Sequence, residues 1–160
     1  MQTESTAIDP LGAGPYVQAA LLCERVMVEQ DGVKTALRII DRITQTKTGA
    51  DPPEVMPPFR ANIFLLLKLK AGSCSGKHHL QVRLTRPDGQ SVIPVTQTIH
   101  FEGSQDQGVD FVGTLQLQFE LEGIYWFEFL LDSTLLTRTP LRILYLRRVE
   151  QASASAEQIQ

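Results

Sequence analysis

The chain has 160 residues, 42% of them hydrophobic and 21% charged, and its 15 basic and 18 acidic side chains leave a net charge of −3. That length supports one domain with a core needing no metal or disulfide staple, and the composition is too apolar for a disordered chain. The acidic balance leaves no surplus of Lys and Arg for phosphates, which speaks against nucleic acid as a partner, and the longest apolar stretch, Ile63–Leu67, falls far short of the roughly 20 residues that cross a membrane.

Residues 1–14 are polar and broken by Pro10, Gly12 and Gly14, which predicts a loose arm lacking the basic and apolar blocks of a secretory signal. A cytosolic location is therefore expected. Two cysteines, Cys23 and Cys74, suit a reducing compartment; spacing alone leaves their pairing open.

The first strand is expected over Val17–Glu29. Val17, Ala19, Leu21 and Cys23 share one parity and Val26 and Val28 the other, so a bulge is expected near Glu24–Arg25. Asp31–Gly32 turns the chain into a second strand with Val33, Leu37, Ile39 and Ile43 inward. The segment QTKTGADPPEVMPPF, residues 45–59, reads as a Pro-rich connection, since Pro52–Pro53 and Pro57–Pro58 forbid central strand pairing. A third strand, Ala61–Leu69, is apolar on both faces, as a doubly covered central strand is. Gly72–Gly76 is expected as a hairpin loop.

His78, Leu80, Val82 and Leu84 then alternate with His79, Gln81, Arg83 and Thr85, the cleanest strand of the chain. Pro87–Asp88–Gly89 closes it with a turn. Pro94 demotes the next strand, Val92–Phe101, to an edge or bulged position. After the Glu102–Gly108 loop, Val109, Phe111, Leu115, Leu117 and Phe119 alternate with polar residues. Gly123–Ile124–Tyr125 opens a further strand through Leu131, where Trp126 is expected to be buried. A last strand or strand pair spans Leu135–Leu146, interrupted at Pro140, and residues 150–160 form a polar tail.

No window shows a helical apolar stripe with caps. Alternation with turn signals every 8–12 positions predicts an all-β antiparallel sandwich of about 7–8 strands over residues 15–149, immunoglobulin-like with Greek-key connections. The Gly-x-Tyr step at Tyr125 matches the tyrosine corner of that architecture, with Phe127 where antibody domains carry their second Cys.

Leu22–Cys23–Glu24, Asp31–Gly32–Val33–Lys34, Pro87–Asp88–Gly89, Gly123–Ile124–Tyr125–Trp126–Phe127–Glu128 and Pro140–Leu141–Arg142–Ile143 together resemble a family of small bacterial β-sandwich proteins of unknown function. The resemblance spans about Leu21–Ile143. It implies a bacterial or phage-associated cytosolic origin and carries no activity, cofactor or site residue with it.

Three constellations bear on chemistry. Cys74, His78 and His79 cluster in sequence, with His100 within reach on a neighbouring strand, but consecutive His side chains leave opposite faces and do not chelate together. Cys23 shares the parity of apolar neighbours and reads as packed, and Cys74 has no evident base in its Ser/Gly loop. Glu120 and Glu122, and Glu102, Asp106 and Asp110, lack the aromatic-lined cleft of glycosidases and the oxygen-ligand density of calcium loops.

No catalytic residue, metal ligand or cofactor is therefore assigned. The Pro-rich connection offers a partner-binding candidate in Val55, Met56 and Phe59, apolar residues in a stretch otherwise composed as loop; the alternative is that they cap one end of the core. The expectation is a non-enzymatic interaction or assembly module, with an edge strand open to pairing with another protein or a second copy. The alternatives are a metal- or thiol-dependent enzyme using Cys74 and His78, and a carbohydrate-binding module with a row of solvent-facing aromatics.

Overall fold

The computed structural model describes residues 14–150; the expected arm and tail lie almost wholly outside that range. Nine strands follow one another: β1 Tyr16–Val28, β2 Lys34–Ile39, β3 Arg42–Gly49, β4 Phe59–Lys70, β5 Gly76–Thr85, β6 Ser91–Phe101, β7 Gly108–Phe119, β8 Gly123–Leu131 and β9 Thr134–Val149. They form a four-stranded sheet in the order β2-β1-β4-β7 and a five-stranded sheet in the order β3-β9-β8-β5-β6.

Both sheets supply one core. Leu22, Leu65, Leu67, Phe111 and Phe119 from the first meet Leu80, Val82, Tyr125, Phe127, Phe129 and Leu141 from the second. These are the inward parities of strands that alternate apolar and polar residues, and among the described residues no buried one is polar or charged.

Not every pairing is antiparallel. The expected single strand from Val33 to Ile43 divides at Ile40–Asp41, where the Ile40 amide donates to Leu22 C=O and Asp41 C=O accepts from Arg142. Its first part, β2, pairs with β1 in the four-stranded sheet; its second, β3, crosses to the other sheet and runs parallel to β9 from Arg42↔Arg142 to Gly49↔Val149. Residues 45–49, expected as loop, therefore form strand, and only residues 50–58 connect. This accounts for nine strands in place of seven or eight. The inward assignments in this stretch are also corrected: Val33, Leu37 and Ile39 are exposed, and only Ile43, with Ile40, packs against the core.

The bulge in β1 falls at Gln18, between Val17 and Ala19, and the register through Glu24–Arg25 is continuous. What changes at Cys23 is the neighbour: β4 pairs β1 up to Cys23↔Phe64, and β2 pairs it from Cys23↔Ile39 onward. The parity change read from the sequence marks this exchange. Gly72–Gly76 is likewise a crossover, because β4 and β5 belong to different sheets.

β6 is an edge strand and its pairing with β5 shifts near Pro94, as a proline without an amide hydrogen requires. Pro140 does not split β9; it lies opposite Trp126 where β8 alone pairs with that strand, before β3 joins at Arg142. At the crossing from β7 to β8, the buried Tyr125 hydroxyl donates to Leu121 C=O at 3.1 Å and lies 3.3 Å from its amide, binding the corner from within as a tyrosine corner does.

Candidate functional site

The three loop residues singled out by composition separate. Met56 is buried in the core, and Phe59 packs on it with its ring 5.3 Å from that of Phe119. Val55 alone is exposed, at 78%. The connection itself is fastened to β9: Arg147 donates twice to Pro52 C=O, at 3.0 and 2.7 Å, and the Tyr145 hydroxyl donates to Pro53 C=O at 2.7 Å. Two of the three residues thus cap the core.

Cys74 and His78 come together, and a third group joins them that the sequence did not announce. His78 Nδ1 bonds Asp132 Oδ2 at 2.5 Å, and His78 Nε2 lies 2.9 Å from Ser75 C=O and 3.2 Å from Cys74 Sγ. Asp132 sits in the β8–β9 turn with φ of 46°, followed by Ser133 at 69°, a two-residue hairpin that strongly prefers Asn or Gly. Its other oxygen accepts from the His79 amide at 2.9 Å. The only sequence signal was a polar Asp–Ser pair between two apolar runs.

The hydrogen bonds decide what this cluster can do. Asp132 accepts at Nδ1 and the Ser75 carbonyl, which can only accept, faces Nε2, so the imidazole is best satisfied as the doubly protonated cation. The bond to Asp132, aided by Ser75, raises the His78 pKa, while the His79 amide and then His78 lower that of Asp132. Burial first, then the charge of Asp132, pushes the Cys74 thiol upward. In its doubly protonated form His78 has no lone pair for the thiol proton. The cluster is built to tie the Gly72–Gly76 crossover to the β8–β9 turn.

A pH dependence follows. A histidine with a raised folded-state pKa stabilises fully below its unfolded value, about 6.5, and loses that contribution as pH rises through the folded value. The lowered Asp132 contributes above about pH 4 and loses its part as pH falls through its own. The clip is therefore strongest between about pH 4 and 6.5. The melting-temperature difference between the native chain and His78→Gln should be larger at about pH 5.5 than at about pH 9. A difference independent of pH would remove His78 from this role.

His79 leaves the opposite face near Thr98, and His100 of β6 is paired with Lys77 of β5. Among the described residues, no group of three or more His, Cys, Asp or Glu side chains is placed to hold a metal ion. Both cysteines are free. Every Phe, Tyr and Trp side chain is buried or half-buried. Trp126 is half-buried on the outer side of its sheet, where the Arg138 guanidinium lies 4.4 Å from the ring. It escapes the core because Tyr125 and Phe127 take the inward parity.

The β1–β2 hairpin concentrates the exposed apolar surface. Met27, Val28, Val33, Leu37 and Ile39 are five of the twelve exposed large hydrophobics among the described residues. The turn of this hairpin, Asp31–Lys34, lies over Leu66, Lys68 and Asp110 on the outward face of the four-stranded sheet. There the Asp110 carboxylate is 2.8 Å from Lys34 Nζ and 3.0 Å from Lys68 Nζ. Burial pushes the Asp110 carboxyl up, but its bonds to the two lysines outweigh that and hold it below the ordinary value.

These features define an all-β domain of two sheets with a fastened core and one apolar, outward-facing hairpin. The chain belongs to a family of unknown function (DUF6941), which matches it over residues 18–144. No curated protein matches it. No helix among the described residues is long and apolar enough to cross a membrane.

Proposed function

We propose that the chain is a non-enzymatic, cytosolic interaction or assembly module on an immunoglobulin-like sandwich, meeting a protein partner through the exposed side of the β1–β2 hairpin. The observation that carries this reading is the gathering of Met27, Val28, Val33, Leu37 and Ile39 on one hairpin; clustered apolar surface on a water-facing element marks interaction sites far more than scattered single residues do. β2 is also the edge strand of its sheet, with backbone groups open to pairing.

The immunoglobulin-like reading is supported by the Tyr125 corner at a sheet-to-sheet crossing and by an early segment, β2–β3, that passes from one sheet to the other and there runs beside the last strand. Two free thiols support a reducing compartment. The net charge of −3 favours protein over nucleic acid.

The test is site-specific photocrosslinking in the native host from positions 37 and 39, with position 142 on the other sheet as control. A defined protein adduct from the hairpin positions alone is expected. Leu37→Asp with Ile39→Asp should weaken that complex about tenfold or more while shifting stability by only about 0.5 kcal/mol. Identical backgrounds from all three positions would refute the assignment.

A thiol-dependent enzyme is the second reading, favoured by the 3.2 Å Cys74–His78 approach beside Asp132. It requires Cys74 to alkylate faster at neutral pH than an ordinary thiol, whereas the interaction reading expects a slower rate.

A further inference from the structure

We propose that the β1–β2 hairpin is a latch: it folds over the outer face of the four-stranded sheet, is pinned at its tip by Lys34 on Asp110, and on release bares Leu66 and the Cys23 thiol. This goes beyond the interaction reading and holds whatever meets the hairpin's outer side.

Pairing isolates the arm. Pairing between β1 and β4 ends at Cys23↔Phe64, and from Arg25↔Leu37 to Val28↔Lys34 the two hairpin strands bond only to each other. Glu24 and Arg38, joined by an ion pair of 2.7 Å, mark its base, and Arg38 adopts φ of 53°, a left-handed conformation uncommon for a residue with a side chain. The strand leaves for the other sheet at Ile40–Asp41. A short segment with one left-handed residue, Arg38, at a foot of the hairpin is where a hinge takes up rotation.

The arm nevertheless lies down, and two buried groups record it. Leu66 alternates with the core residues Leu65 and Leu67, so it points away from the second sheet, yet only 7% of it is exposed. Cys23, also outside the core cluster, is fully buried, with Sγ 3.3 Å from Arg25 C=O and 3.8 Å from Phe64 C=O. One contact partner of that thiol belongs to the arm and the other to β4, the neighbouring strand with which Cys23 pairs.

What pins the tip is weak by design of its chemistry. Lys34 and Asp110 keep 22% and 19% of their side chains exposed, and Lys68 competes for the same carboxylate. The pair keeps enough contact with water on both partners for salt to screen it, and partly solvated ion pairs contribute modestly. The arm has the few cross-contacts and exposed ladder of a segment that opens well below global unfolding.

Cys23 is a built-in reporter. In a Cys74→Ser background, its reaction with an aromatic disulfide reagent should accelerate about fivefold on Asp110→Asn. Raising salt from about 50 to about 500 mM should accelerate it in the parent and not in Asp110→Asn. Amide exchange should quicken over Val26–Ala36 while β4 and β8 amides are unchanged. Lys34→Met must reproduce the effect, which keeps the test valid if Asp110→Asn folds poorly. A change under about twofold in both variants, or acceleration matched by β4 and β8 amides and therefore by global unfolding, overturns the latch.

Discussion

Phe127→Ala should lower the unfolding free energy by about 3–5 kcal/mol, a large share of the roughly 5–15 kcal/mol a domain possesses. Phe127 is fully buried on β8, between Leu84 of β5 and Thr139 of β9, and its ring belongs to the core shared by both sheets. Truncation forfeits the ring's transfer free energy and leaves a void that a clamped sheet centre closes poorly. In urea the midpoint should fall with an unchanged slope, the signature of lost stability without altered compactness. Trp126→Ala, one residue earlier, removes a half-exposed ring covered by Arg138 and should cost less than half as much. Equal costs would mean that the core is not where the alternation of β8 places it.

Gly108→Ala should be nearly as damaging, by about 2–4 kcal/mol, although it adds a single carbon. A Cβ at Gly108 would lie 1.7 Å from Leu69 O and 2.8 Å from the carbonyl carbon, backbone atoms that no rotamer change moves aside. Gly108 opens β7 opposite Lys70, beside the bond from the Ala71 amide to Gln107 C=O. Relief must part the end of the β4–β7 ladder. Gly49→Ala, where nothing lies within 4 Å, should stay within about 0.5 kcal/mol. Thermal melts of the pair, measured side by side, check the contrast; two equal shifts would show that close backbone approach is not the cause.

Much of the fold was legible because burial is written in parity. The inward sets on β5 and β7 hold, as do the turn at Pro87–Gly89, the edge position of the Pro94 strand and the doubly buried middle of β4. Parity is silent about partners. Val33–Ile43 reads as one inward strand, yet Leu37 and Ile39 face water because β2 extends a sheet edge past the reach of the other sheet. Gly72–Gly76 looks like a hairpin loop, since an arch between sheets uses the same small residues. The parallel β3–β9 pair uses residues 45–49, whose Thr, Gln and Lys side chains carry no apolar signal.

The candidate sites were less legible still. Cys74 and His78 are close in sequence and their approach was open to reasoning; Asp132 is 54 residues beyond His78 and no spacing rule reaches that far. Lys34, Lys68 and Asp110 read individually as outward polar residues on three separate strands. Met56 and Phe59 stood out as apolar residues in a loop, and the fold used them as a lid on its own core because Arg147 and Tyr145 hold that loop down.

By itself, the order of residues determined an all-β domain, its alternating inward side chains and its turns, because a two-residue period is imposed by the strand backbone and acts within a few positions. Tertiary structure alone decided which strands share a sheet, that one of them crosses over to run parallel, that the first hairpin lies back across its own sheet, and that a histidine meets an aspartate. Those outcomes depend on surfaces meeting after the chain has collapsed, and a one-dimensional pattern of polarity carries no record of which surface will be opposite.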